Sequence, residues 1–235
     1  MIPLSFKPVA QDPEVPQFIQ HPKKIDIFLF AALFGIAIYG FAMIPLRAYL
    51  LSHPVAYTLL VGGYTSAVVS GANASVGNGQ WWVYLMCTIV GAAKFVPLYW
   101  AMGRRWGMEF IDMSVQYMPR MKKLFRRALG SESGTSTAIT CALVPVSYCP
   151  GPIPGNVVNA VLGLLKVGPW AVLALNAASI AVINGVFMWL GMTFGDEVLE
   201  VVQVVNRYLL WITLGLIVVV IWRARRQTSR GNIGG

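Results

Sequence analysis

The sequence predicts an all-α integral membrane protein: two opposed re-entrant helical hairpins, each followed by a spanning helix, with flanking spanning helices at the two ends. Three observations carry this. Only 11% of the 235 residues are charged while 57% are hydrophobic, and a soluble domain uses about 25% charged residues. The net charge of +9 gathers in short patches between apolar runs, a pattern that orients spans and does not point to nucleic acid. Two long uncharged stretches are interrupted by Pro, Gly, Ser and Asn, where a continuous helix cannot form. This composition excludes a soluble enzyme, a disordered protein and a DNA-binding domain. Cys87, Cys141 and Cys149 lie in apolar stretches and His21 is far from His53, so no disulfide framework, metal site or cofactor is expected.

Residues 1–26 read as a polar arm punctuated by proline, retained and cytoplasmic. The membrane domain follows over 27–222. Its first span, 27–46, is uncharged and long enough for a ~30 Å hydrocarbon core. Between Arg47 and Lys94 there is no Asp, Glu, Lys or Arg and the one histidine is His53, too much uncharged chain for one span and barely enough for two. Its small and polar middle, from Gly62 to Gly79, makes 48–80 a hairpin, and 81–102 a span that opens on Trp81 and Trp82. Residues 103–132 form the densest basic segment, predicted as an interfacial amphipathic helix kinked near Pro119. A second hairpin, 133–165, turns at Pro150, Pro152 and Pro154. The span 167–195, an acidic turn at Asp196, Glu197 and Glu200, a short span 207–222 and a basic tail 223–235 complete the chain.

Charge parity sets the topology. The basic segment and the tail belong inside and the acidic turn outside. The span 167–195 then runs outward, so 133–165 must begin and end inside. With the arm also inside, 27–46 exits and 81–102 returns, so 48–80 dips in from outside and goes back. Hairpins entering from opposite faces, each followed by a span of opposite direction, form an inverted repeat of the transporter type. Broken backbone at membrane depth is tolerated where it is buried in protein or lines a wet cavity, so the two breaks mark a substrate path.

Lys94 is the first path candidate. It lies about ten residues, or about 15 Å, from the inner end of its helix at Arg104, where an ammonium is costly and functional by default. It suits an anionic headgroup such as phosphate. Its bland reading is a lysine that snorkels or pairs with a carbonyl. The second candidate is the run Pro150, Gly151, Pro152, Pro154, Gly155, Asn156 and Asn159, whose free backbone groups and amides need partners. Gly71 and Asn73 in the first hairpin follow the same logic, although Gly and Asn also make ordinary turns. Arg104 joins the path as the inner cation. Asn176 and Asn184 read as helix-to-helix contacts. No Ser/His/Asp set, paired buried carboxylates or phosphate-binding glycine loop appears, so no enzymatic activity is expected.

Gly91 and Ala92, followed by Gly103, Arg104, Arg105, Trp106 and Gly107, resemble the signature of the DedA family, also called VTT-domain or SNARE-associated membrane proteins. Phe125, Arg126 and Arg127, then Leu143, Val144 and Pro145, resemble that family's approach to its second hairpin. The run from Pro154 to Gly163 is similar to its Pro-Phe-Asn-Leu-Leu-Asn-x-x-x-Gly run. The resemblance covers roughly residues 50–195. It implies a flippase or scramblase in a bacterial plasma membrane, with both termini cytoplasmic, moving a phosphate-containing lipid such as a polyprenyl phosphate or an aminophospholipid. Partners are then membrane lipids with anionic or phosphate headgroups, with no nucleic acid and a homo-oligomer left open. Phe95 and Val96 stand where the family often has Gly-Asp, and the arginines usual around its second Pro-Gly are missing. A non-transporting scaffold that organises or deforms the bilayer is the competing reading.

Overall fold

A computed structural model describes residues 23–119, 121–123, 125, 133–151 and 153–200. The arm up to residue 22, the span 207–222, the tail 223–235 and Pro152 lie outside the described residues. Within them every regular element is helical: α1 Lys24–Leu50, α2 Pro54–Leu60, α3 Tyr64–Ser75, α4 Trp81–Ala93, α5 Val96–Ser114, α6 Ser133–Ser147, α7 Gly155–Leu164 and α8 Pro169–Thr193. Among the described residues, three stretches are long and apolar enough to cross a membrane, namely Lys24–Arg47, Trp81–Ser114 and Pro169–Thr193.

Local chemistry sets the boundaries. α1 opens on Asp26, whose carboxylate accepts from the Lys23 backbone N–H at 2.9 Å, which suits the positive end of the helix dipole. The helix runs past the expected end at residue 46, through Pro45 to Leu50. Phe28, Phe34, Ile38 and Phe41 of α1 stay exposed, an apolar face that water would penalise and hydrocarbon would not. α2 and α3 are separated at Gly62 and Gly63, with φ of 64° and 88°, a conformation open to glycine. The break thus falls at the start of the small and polar run, and Gly71 and Asn73 sit inside α3.

The basic segment departs from its expected form. α5 carries the helix through Gly103, Arg104 and Arg105 to Ser114, and the kink lies at Gly107 with φ 60° and ψ −139°. Pro119 opens the next helical stretch instead of bending it, as suits a residue without an N–H donor. α6 ends at Ser147 and α7 starts at Gly155, so the proline-rich apex is irregular.

Each of the two shorter arms α3 and α7 packs on the long helix that belongs to the other half of the chain. A Cβ at Gly71 would overlap the Met188 carbonyl, and one at Gly191 would overlap the Val68 carbonyl, so α3 and α8 touch backbone to backbone. The α5 and α7 pair repeats this reciprocity, with Gly103 against the Ala160 carbonyl and Gly163 against the Trp100 carbonyl. Small residues at such crossings bring helices close where apolar burial alone gives no drive. Around the second crossing Met102, Trp106, Phe110, Val158, Val161 and Leu162 form the main core.

Candidate functional site

A cavity of about 240 Å³ is bordered by α1, the Gly62–Gly63 break, the end of α4 and Tyr148. Lys94 lines it from the short break between α4, which ends at Ala93, and α5, which starts at Val96. Its Nζ donates to the Tyr39 hydroxyl at 2.7 Å and to the Leu60 carbonyl. It also lies 4.5 Å from the Tyr39 ring centroid and 5.2 Å from that of Phe95. Tyr39 in turn donates to the same Leu60 carbonyl, which the broken end of α2 leaves available. Arg47, exposed near the end of α1, borders the same cavity. None of the described residues around it is acidic. Two cations and two phenols therefore converge on one space with no carboxylate to neutralise them, an arrangement that attracts an anion.

A buried hydrogen-bond chain links this cavity to the second hairpin. Tyr148 donates its hydroxyl to Asn176 Oδ1 at 2.7 Å. Asn176 Nδ2 donates to Asn159 Oδ1 at 2.8 Å and to the Val172 carbonyl at 2.8 Å. Asn159 Nδ2 donates to the Gly155 carbonyl at 2.9 Å. Elsewhere, Asp26 accepts from Arg105 Nε at 2.9 Å, Arg105 Nη2 at 3.0 Å and Trp106 Nε1 at 3.0 Å. That cluster pins the start of α1 to α5, and so places the α1 wall of the cavity. A larger hollow of about 460 Å³ between Tyr64, Phe187 and Phe194 is mostly apolar, and the one charged residue among those lining it is the acid Glu197, which would repel an anion.

The expected path residues are not gathered in one place. Lys94 lines the cavity. Gly71 is consumed by the α8 crossing, and Asn73 by bonds to the Val69 carbonyl and to Asn78 Nδ2, each at 2.8 Å. Pro150 and Gly151 are exposed at the apex, and Pro154 and Gly155 are half-buried at the start of α7. Arg104 is exposed, with its guanidinium 5.4 Å from the Trp100 ring centroid. Asn159 is buried in the chain just described, whereas Asn156 faces out. Arg47, Tyr39 and Tyr148 complete the site, yet carried no signal in the sequence beyond ordinary flanking and aromatic residues.

The two apex asparagines are expected to behave differently. Asn159→Leu takes the acceptor from one Asn176 N–H inside the bundle and should cost about 1–3 kcal/mol. Asn156→Leu changes an exposed side chain and should stay within about 0.5 kcal/mol of wild type. Denaturant unfolding in detergent checks this, and equal losses would remove the distinction. No family model, no curated protein and no solved structure matches the chain.

Proposed function

We propose that the chain is a lipid transporter, a flippase or scramblase of the DedA type, that receives a phosphate-containing headgroup at Lys94. The observation that carries this reading is the cavity shared by Lys94 and Arg47, with no acid among the described residues around it. Lys94 is bonded to a phenol and a carbonyl, neither of which carries a charge to offset an ammonium, so a phosphate is a fitting counter-ion. The neighbouring α1 face is apolar and exposed, so acyl or prenyl chains can trail along it while the headgroup enters. A 240 Å³ space is smaller than the ~300 Å³ of the smallest usual ligand pockets; it takes a headgroup and leaves the tail in the bilayer. The lipid class extends to polyprenyl phosphates and aminophospholipids, and the location is a bacterial plasma membrane with both termini inside.

Re-entry of the two hairpins is part of the proposal. Its support is length and reciprocity. α2 has 7 residues, α3 has 12 and α7 has 10, so none exceeds about 18 Å at 1.5 Å per residue, short of a ~30 Å core. The mirrored glycine crossings relate the two halves as an inverted repeat would. Single cysteines at residues 52, 80, 132 and 166, in a background lacking Cys87, Cys141 and Cys149, test it. The first pair should label from one face and the second pair from the other. A pair split between faces means that its segment crosses, which removes the facing breaks on which the path depends.

A further inference from the structure

We infer that the cavity selects a phosphate-bearing headgroup which itself carries a hydrogen-bond donor, with Tyr148 as the residue that reads that donor. The inference rests on the transporter reading and follows from proton bookkeeping around the cavity. Asn159 Nδ2 lies 2.9 Å from the Gly155 carbonyl, and Asn176 Nδ2 lies 2.8 Å from the Val172 carbonyl. Carbonyl oxygens only accept, so both amides are fixed in orientation. Asn176 Oδ1 must then accept, and the proton between it and Tyr148 comes from Tyr148. The hydrogen of Tyr148 is spent. What its hydroxyl can still offer is an oxygen lone pair.

The two cationic side chains that border the cavity, Lys94 and Arg47, are donors only. Lys94 has three N–H bonds and spends two, on Tyr39 and on the Leu60 carbonyl. Tyr39 spends its own hydrogen on Leu60. Arg47 also borders the cavity, and a guanidinium is donor-only. A headgroup therefore meets N–H donors from Lys94 and Arg47 for its phosphate; the Tyr39 oxygen already takes an N–H from Lys94, so Tyr148 is the phenol left to accept from the headgroup. A hydroxyl or amine attached to the phosphate satisfies that acceptor. A headgroup capped by methyl groups leaves it bare, and a site with a dedicated polar partner discriminates against an analogue that lacks the matching group. The Tyr39 and Phe95 faces that could cage a quaternary ammonium are already occupied by Lys94, so a trimethylated amine finds no substitute there.

Phosphatidylglycerol and phosphatidylmethanol isolate this effect, since both carry one negative charge and only the first has hydroxyl donors. Fluorescent forms of each are followed across vesicles containing the full chain. Wild type should move phosphatidylglycerol about three- to tenfold faster, the factor one neutral hydrogen bond supplies. Tyr148→Phe should level the two rates by slowing phosphatidylglycerol alone. Equal wild-type rates overturn the inference while leaving transport standing, and they do so whether or not the variant folds. An unchanged preference in a folded Tyr148→Phe protein also overturns it. Movement of neither lipid overturns both the inference and the transporter reading beneath it.

Discussion

Lys94→Met is expected to leave the protein folded and to lower lipid movement by about 10–100-fold, the range equivalent to losing one charge-assisted hydrogen bond of about 1.5–3 kcal/mol. Folding should survive because nothing buried is orphaned. The Leu60 carbonyl keeps the Tyr39 hydroxyl as donor, and the Tyr39 oxygen loses only an incoming bond. A methionine fills much the same volume and relieves the cost of holding an ammonium partly buried among apolar helices. Detergent unfolding and vesicle transport, measured on the same preparation, separate the two quantities. Wild-type transport in a stable Lys94→Met protein would reduce Lys94 to a structural contact.

Gly103→Leu should do the opposite and damage the fold first. The α5 backbone rests directly on the Ala160 carbonyl of α7, with no room for a Cβ. A leucine forces the helices apart, opening the core between Met102 and Val161 and also parting Gly163 from the Trp100 carbonyl. Overpacking of this kind costs about 1–3 kcal/mol. Gly35→Leu is the control, since a Cβ on that α1 glycine meets nothing within 4 Å. A thermal unfolding series in detergent should show a clear loss for the first and none for the second. Equal stability of the two variants would mean that the α5–α7 contact is looser than described.

These two substitutions also mark how far the sequence could be read. Lys94 was legible because a charge in the middle of an apolar run has no cheap explanation. Arg47 was not, since a cation at the end of a span reads as a flank, and only the continuation of α1 to Leu50 brings it to the cavity. The Gly103 to Gly107 run was recognised as a motif without its meaning. In the structure Gly103 makes a crossing, Arg105 and Trp106 hold Asp26, and Gly107 bends the helix. Asp26 and Arg105 lie 79 residues apart, and no local pattern joins them. In the first hairpin, composition alone does not separate the glycines that turn the chain from those that admit a neighbouring helix. Gly62 and Gly63 do the former and Gly71 the latter. The same limit applies to Asn156 and Asn159, which only the helical phase of α7 assigns to surface and core.

The central claim is that the chain carries a lipid headgroup across the bilayer. It is tested most directly by reconstituting the full chain in vesicles that contain a fluorescent phosphatidylglycerol and adding a membrane-impermeant quencher. With the protein present, inner-leaflet reporter should become accessible with time, quickly for wild type and slowly for Lys94→Met. A reporter that stays as protected as in protein-free vesicles, at any protein density, would contradict the claim and leave a membrane protein that organises lipid without moving it.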